Sequence, residues 1–199
     1  VSCLAEQAKI LVAEGEENNL GDKAMDERWG RWYSCSLCEQ NYHGDVKCAL
    51  GWACWKTYVG RPERDSIRQM AMNRLGSGLF AAGHHEDALT VREAELSKQR
   101  RLGASEESIL PARSNLASTY EVLGRNEEAV LIKRDVYSGR LKLNGEKHLE
   151  TFRAANNYAS SLNQLRRFEE AKSLMRKTIP MARRVLGESN DLTLRMRWA

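Results

Sequence analysis

The chain has 199 residues, with 31 Lys+Arg against 27 Asp+Glu, 42% hydrophobic and 29% charged, which is enough for one core or one repeat array. No apolar run approaches the roughly 20 residues a membrane-spanning helix needs, the frequent, periodic Leu, Ala and Val exclude a solvated tail, and three Pro argue against a loop-rich fold. Five Cys, an odd number, fit a reducing, intracellular and cytoplasmic setting with thiols or metal ligands better than a disulfide scaffold, and a net charge of +4 is too mild to imply nucleic acid.

Residues 1–60 carry six Lys+Arg and nine Asp+Glu, all five Cys and four of the five Trp, whereas the remainder carries 25 and 18. The composition therefore changes near Gly60-Arg61-Pro62. In chain order, Val1 to Glu17 is predicted as a helix with Leu4, Ala8, Leu11 and Val12 on one side and Cys3 at its start. Cys35-Ser-Leu-Cys38 follows, with the spacing that lets two thiolates grip one tetrahedral metal. A redox Cys-x-x-Cys would need a strand before it and a helix opening on it, which Trp29 to Tyr33 and Glu39 to Tyr42 support poorly, so zinc is the better chemistry. Remaining ligand candidates are Cys3, His43, Cys48 and Cys54, and Cys35, Cys38, His43 and Cys48 have plausible spacing for one site. Against that set, Gly44 to Gly60 reads as an amphipathic helix with Cys48, Trp52, Trp55 and Val59 on one face, where a buried Cys behaves as a small apolar residue.

Internal repeats dominate the rest. Leu116-Ala-Ser-Thr-Tyr120, Gly124 and Glu127-Glu128-Ala129 recur 42 residues on as Tyr158-Ala-Ser-Ser-Leu162, Arg166 and Glu169-Glu170-Ala171. An earlier copy, 41 residues back, reads Leu75-Gly-Ser-Gly-Leu79, Gly83 and Glu86-Asp87-Ala88. Leu102-Gly103, Asn144-Gly145 and Leu186-Gly187 keep the same register. Apolar residues fall at helical spacing on both sides of each short turn, so each copy is a pair of antiparallel helices, about 105–123 and 127–143 in the middle one. Ala88, Ala129 and Ala171 stand where the second helix approaches the first, and the Leu-Gly or Asn-Gly pairs end the second helices in a left-handed turn. Such pairs stack into a solenoid, so the fold class is all-α.

The spacing of Leu116, Tyr120, Gly124 and Ala129 resembles the tetratricopeptide repeat. The 42-residue period, Leu186 to Leu194, Asn156-Asn157-Tyr158-Ala159, and His148 and Thr151 in Gly145-Glu-Lys-His-Leu-Glu-Thr151 resemble its kinesin light chain variety, with Leu149 in place of a Pro. The resemblance covers about residues 64–199, three repeats and the start of a fourth. It implies a groove along the first helices that takes a protein or peptide. By the family's pattern Asn115 and Asn157 face it, with Ser118, Ser160, Arg153, Asn156 and Asn163 nearby and Asn73 and Arg74 in the first copy. Asn can clamp a peptide backbone and Arg favours an acidic ligand, while the competing reading has each Asn bonding the next repeat. Lys98-Gln-Arg100-Arg101, Arg166-Arg167, Arg176-Lys177 and Arg183-Arg184 read as solvated helix ends, and His84-His85 as a loop.

Val1-Ser-Cys3-Leu4 and Trp32-x-x-Cys35-x-x-Cys38 resemble the second half of a RING-CH zinc finger over about residues 1–40, with 41–63 as a connecting helix. The resemblance implies that Cys3 belongs to a first structural zinc and Cys35 and Cys38 to a second. It also implies a ubiquitin-conjugating enzyme as partner and ubiquitin-ligase activity when the finger is complete. A kinesin light chain-like cargo adaptor is the further alternative, and no residue pattern here points to catalysis. Val1 without a leader, and Leu192 to Ala199 read as a helix interrupted mid-pattern, are expected of a fragment cut at both ends.

Overall fold

The computed structural model describes residues 1–197. Among them the chain forms ten α-helices and no strand: α1 (Ser2–Glu17), α2 (Asp22–Trp29), α3 (Gly44–Tyr58), α4 (Ser66–Ala81), α5 (His85–Arg101), α6 (Glu106–Val122), α7 (Asn126–Asn144), α8 (Leu149–Gln164), α9 (Phe168–Leu186) and α10 (Asp191–Met196). The helix ends predicted for the middle copy, about 105–123 and 127–143, agree with α6 and α7 to within a residue. The chain divides into two compact units, Val1–Lys98 and Gln99–Ala199, inside α5.

In the first unit α1 buries Ala8 and Val12 against Trp29, Trp32, Cys54, Tyr58 and Ala71. The three aromatic rings of that core lie 5.7 to 6.4 Å apart in tilted and edge-on pairs, the arrangement their quadrupoles prefer. The loop after α3 is held to α1 by a bidentate pair, Arg61 Nη1 and Nη2 donating to Glu16 Oε1 and Oε2 at 2.7 and 2.6 Å. Asp65 then caps α4, accepting from the Ile67 and Arg68 amides at 2.8 and 3.1 Å.

The α3 face differs from the predicted one. Cys48, Leu50, Gly51, Cys54 and Tyr58 are buried, whereas Trp52 is 43% and Val59 38% exposed. The reason is a close approach of α3 and α4: a Cβ on Gly51 would lie 2.8 Å from Arg74 O, and one on Gly78 would lie 2.8 Å from Lys47 O. Two side-chain-free positions select the contact face, which rotates Trp52 outward. Burial pushes the Cys48 and Cys54 thiols up, as befits core cysteines rather than ligands.

Behind α4, α5 buries Ala88, Leu89 and Leu96 but also Arg92, Glu95 and Lys98, so Lys98 is not the solvated cation its sequence suggests. Burial raises the Glu95 carboxyl to about 7, against the pull of Lys98, Arg92 and a hydrogen bond from Asn73. A carboxyl that holds its proton more tightly when folded stabilises below that value, and the benefit falls as pH rises from about 4.5 through 7. Chemical denaturation at pH 5 and pH 8 should therefore find a loss on the order of 3 kcal/mol with rising pH, and Glu95→Gln should flatten it.

The second unit is built from the repeat. Ala129 and Ala171 are 0% and 2% exposed at the crossings within the α6–α7 and α8–α9 pairs. Gly145 and Gly187 end α7 and α9 with φ 80° and 92° and extended ψ, so the chain leaves the helix straight into the linker rather than through a left-handed helical turn. The turn between α6 and α7 uses Gly124 at φ 77°, whereas its counterpart between α8 and α9 is Arg166 at φ 58°. His148 and Thr151 acquire definite roles there. His148 Nδ1 accepts from the Glu150 amide at 3.2 Å as the α8 cap, and the buried Thr151 hydroxyl donates to Gly145 O at 2.8 Å, closing the linker on itself.

The core of this unit joins Val130, Phe152, Ala155, Ala159, Leu162, Met175 and Met196. Through it runs a buried polar chain: Lys133 Nζ on α7 donates to Glu121 Oε2 on α6 at 2.5 Å, and Ser161 on α8 donates to Glu121 Oε1. No helix of the described residues is long and apolar enough to cross a membrane.

Candidate functional site

In the second unit α6 and α8 present adjacent first-helix faces, and α7 closes the gap behind them. A cavity of about 240 Å³ opens between the three, lined by Leu110, Ser114 and Asn115 of α6, Val136 and Arg140 of α7, and Glu150, Arg153 and Asn157 of α8. One further turn along, α8 and α10 enclose a second cavity of about 460 Å³ with Arg153, Asn156 and Asn157 on one side and Asn190, Asp191 and Arg195 on the other. Arg153 and Asn157 line both, so the two spaces form one polar trough over first helices.

Its electrostatics are set by which charges are already matched. Glu150 accepts from Arg153 Nη1 at 2.8 Å and has Arg140 Nη2 at 4.0 Å, so one carboxylate faces two guanidiniums. Arg195 pairs with Asp191 one turn before it on α10. Three guanidiniums against two carboxylates leave the lining positive, and the Arg153 side chain, paired with Glu150, is 58% exposed. Asn156 Oδ1 is buried with no hydrogen-bond partner among the described residues.

Of the residues predicted to face a groove, Asn115, Arg153, Asn156 and Asn157 come together in this trough. Ser118 donates to Ser114 O at 3.2 Å within its own helix, Ser160 is exposed on α8, and Asn163 lines a different cavity at the end of the unit. Asn73 and Arg74 belong to the first unit, where Asn73 bonds Glu95 and the Arg74 guanidinium lies 4.4 Å from the Tyr33 ring centroid. Sequence reasoning missed Arg140, Glu150, Asp191 and Arg195. Glu150, three residues before Arg153 on α8, carried a signal as a helix-surface ion pair, whereas nothing local marks Arg140, a second-helix residue that reaches the first-helix face.

The cysteines separate into two kinds. Cys35 and Cys38 close a tight knuckle in which Leu37 N–H donates to Cys35 Sγ at 3.4 Å, Cys35 N–H bonds Gln40 O at 2.9 Å, and Glu39 adopts φ 58°. Backbone N–H groups of Cys38 and Leu37 pull the Cys35 thiol below its ordinary value, as in a turn ready to hold thiolate. Among the described residues no group of three or more His, Cys, Asp or Glu is placed to hold a metal, so Cys3 does not join Cys35 and Cys38, and neither does the buried Cys48. The pair is soft and correctly spaced but supplies two of four tetrahedral ligands.

The tetratricopeptide repeat family matches residues 151–191. No curated protein sequence matches the chain. Among solved structures, BtubC (BKLC) from P. vanneervenii aligns with a TM-score of 0.63 at 19% identity over 75% of this chain, which spans 61% of that protein. A kinesin light chain-like protein with nearly identical TPR-like repeats from Podosopora anserina aligns over 98% of this chain and 82% of its own, with a TM-score of 0.62 at 18% identity. A single-substitution form of the same protein gives 0.63 over the same shares. At these identities the likeness is one of fold: the chain is a solenoid of tetratricopeptide type.

Proposed function

We propose that the chain is a protein-interaction scaffold that holds an extended acidic peptide against the first helices of its repeats. The observation that carries this is the convergence of Asn115, Arg153 and Asn157, from two different repeats, on one cavity. The Asn157 side-chain amide offers a donor and an acceptor to a peptide backbone, and the surplus of guanidinium selects carboxylate side chains. Asn115→Ala with Asn157→Ala should weaken capture of a Glu- and Asp-rich peptide pool about tenfold or more while leaving the thermal midpoint within a few degrees. Equal loss of stability and binding would make these asparagines structural.

A second reading is favoured by the Cys35–Cys38 knuckle alone. The two thiolates hold a structural zinc whose other ligands lie outside the described residues, as the RING-CH resemblance implies, and a ubiquitin-ligase role attaches only to that finger. Cobalt(II) added to the reduced chain should give a thiolate charge-transfer band that Cys35→Ser removes; an unchanged spectrum on adding the metal counts against it.

A further inference from the structure

In the first unit α2 and the opening turns of α4 enclose a cavity of about 450 Å³. Met25 and Trp29 of α2 and Ile67 and Met70 of α4 are its apolar walls, and the exposed Asp22, Asp26 and Ser66 form its rim. Trp29 is 5% exposed, with its ring fixed against Trp32 and Tyr58 at centroid distances of 6.4 and 5.7 Å. Met25 is wedged against α1, since a Cβ on Gly15 would lie 2.5 Å from its Sδ. The walls therefore belong to the core of the unit. The start of the chain lies elsewhere: Arg61 clasps Glu16 and Asp65, which sets the beginning of α4 beside the C-terminal end of α1. The 16 residues of α1 place Val1 roughly 24 Å away along the helix axis.

Charge indicates what such a cavity receives. Asp22 and Asp26 stand one turn apart on the same face of α2. Asp22 lies in the first turn, where the helix dipole favours a carboxylate, but that does not account for Asp26, and like charges at i, i+4 repel. Neither carboxylate has an ion pair among the described residues. The guanidiniums of the flanking segments are engaged: Arg28 donates to Leu11 O at 3.0 Å and meets Glu14 at 3.3 Å, Arg61 holds Glu16, and Arg68 donates to Arg61 O at 2.6 Å. None of the lining residues is Lys or Arg. Residues 1–60 as a whole lean the same way, with nine Asp+Glu against six Lys+Arg.

We propose that this cavity binds a lysine or arginine side chain presented by a basic segment of a partner protein. The aliphatic stem lies against Met25, Ile67 and Met70 and the charged head meets Asp22 and Asp26, a division between apolar wall and charged rim that these two side chains allow. Trp29 at the back of the cavity adds the aromatic surface that a cation prefers. The Ser66 hydroxyl, able to donate and to accept, stands at the same rim for the peptide group that carries the side chain, a group that a free amine lacks. The site is opposite in charge to the trough over α6 and α8 and belongs to the other unit, so it does not rest on the reading of that trough.

The test uses the full chain and fluorescent peptides of equal length and apolar content, with Lys, Arg or Gln at alternate positions, followed by anisotropy. The better of the two basic probes should bind at least about tenfold more tightly than the Gln probe. Asp22→Asn with Asp26→Asn, both at exposed positions, should weaken it by about tenfold or more at an unchanged thermal midpoint. Glu17→Gln with Glu27→Gln, which removes the same charge from exposed positions outside the cavity, should leave binding intact, and so should Asn115→Ala with Asn157→Ala. Equal binding of all probes, binding of none, equal loss in the Glu17 and Glu27 variant, or loss with the asparagine variant alone would overturn the proposal. So would displacement of the basic probe by spermidine at lower concentration than by the unlabelled basic peptide, since the occupant would then be a free amine.

Discussion

Gly78→Val is expected to destabilise the first unit by about 3 kcal/mol or more, because its side chain must enter a space bounded by backbone. A Cβ at position 78 already lies 2.8 Å from Lys47 O and 2.9 Å from Cys48 Cα, and neither atom can move without shifting α3. Gly78→Ala tests the same contact more gently. In an open helix the change would gain about 1 kcal/mol from propensity, so a net loss isolates the cost of forcing α3 and α4 apart. Gly21 is the control, since a Cβ there meets nothing within 4 Å and its φ is −66°. Gly21 is also the N-cap of α2, where Ala is disfavoured, so Gly21→Ala should cost about 1 kcal/mol or less, well below Gly78→Val. Denaturant midpoints of the three variants measure the series, and equal effects at Gly21 and Gly78 would rule out the close approach.

Lys133→Met should cost about 3–5 kcal/mol, the usual penalty for stranding one member of a buried pair. Its ammonium meets Glu121 Oε2 at 2.5 Å with the two side chains only 7% and 13% exposed, and removal leaves the Glu121 carboxylate leaning on the Ser161 hydroxyl. Shape is not the obstacle, because the next repeat carries Met175 at the equivalent position. Adding Glu121→Gln to Lys133→Met should recover most of the loss, since a neutral amide can still accept from Ser161. A double-mutant cycle on these two residues therefore separates stranded charge from lost packing; an additive cycle would show that the pair contributes nothing specific.

Much of the solenoid was legible in the sequence because its determinants are periodic and local. The small residues Ala88, Ala129 and Ala171 are all buried at helix crossings. The glycines that close each repeat take positive φ as their composition suggests. What periodicity misreads is charge inside a helix pair. Lys133, Glu121, Arg92, Glu95 and Lys98 have the spacing of a solvated face, and only tertiary pairing distinguishes them from one. The α3 face was misread for a related reason: Trp52 is among the largest apolar residues in that helix, yet Gly51 decides the contact because helix separation, not hydrophobicity, is limiting there. The asparagines that line the trough were named from the family resemblance, whereas Arg140 enters from a second helix by a route no single-helix pattern encodes. The cysteine pair shows the converse case. Its local turn was readable from two residues of spacing, but a metal site is a meeting of distant ligands, and among the described residues no third one stands beside Cys35 and Cys38.

Where a peptide binds decides between a groove and a merely structural set of asparagines. Nitrogen-15 chemical-shift mapping of the full chain, titrated with a Glu- and Asp-rich peptide pool, addresses this directly. The predicted result is saturable shifts at the side-chain amides of Asn115, Asn156 and Asn157 and at the Arg153 guanidinium N–H, within the trough over α6, α8 and α10. Shifts confined to the outer residues of α7 and α9, with those four side chains unmoved, would contradict it.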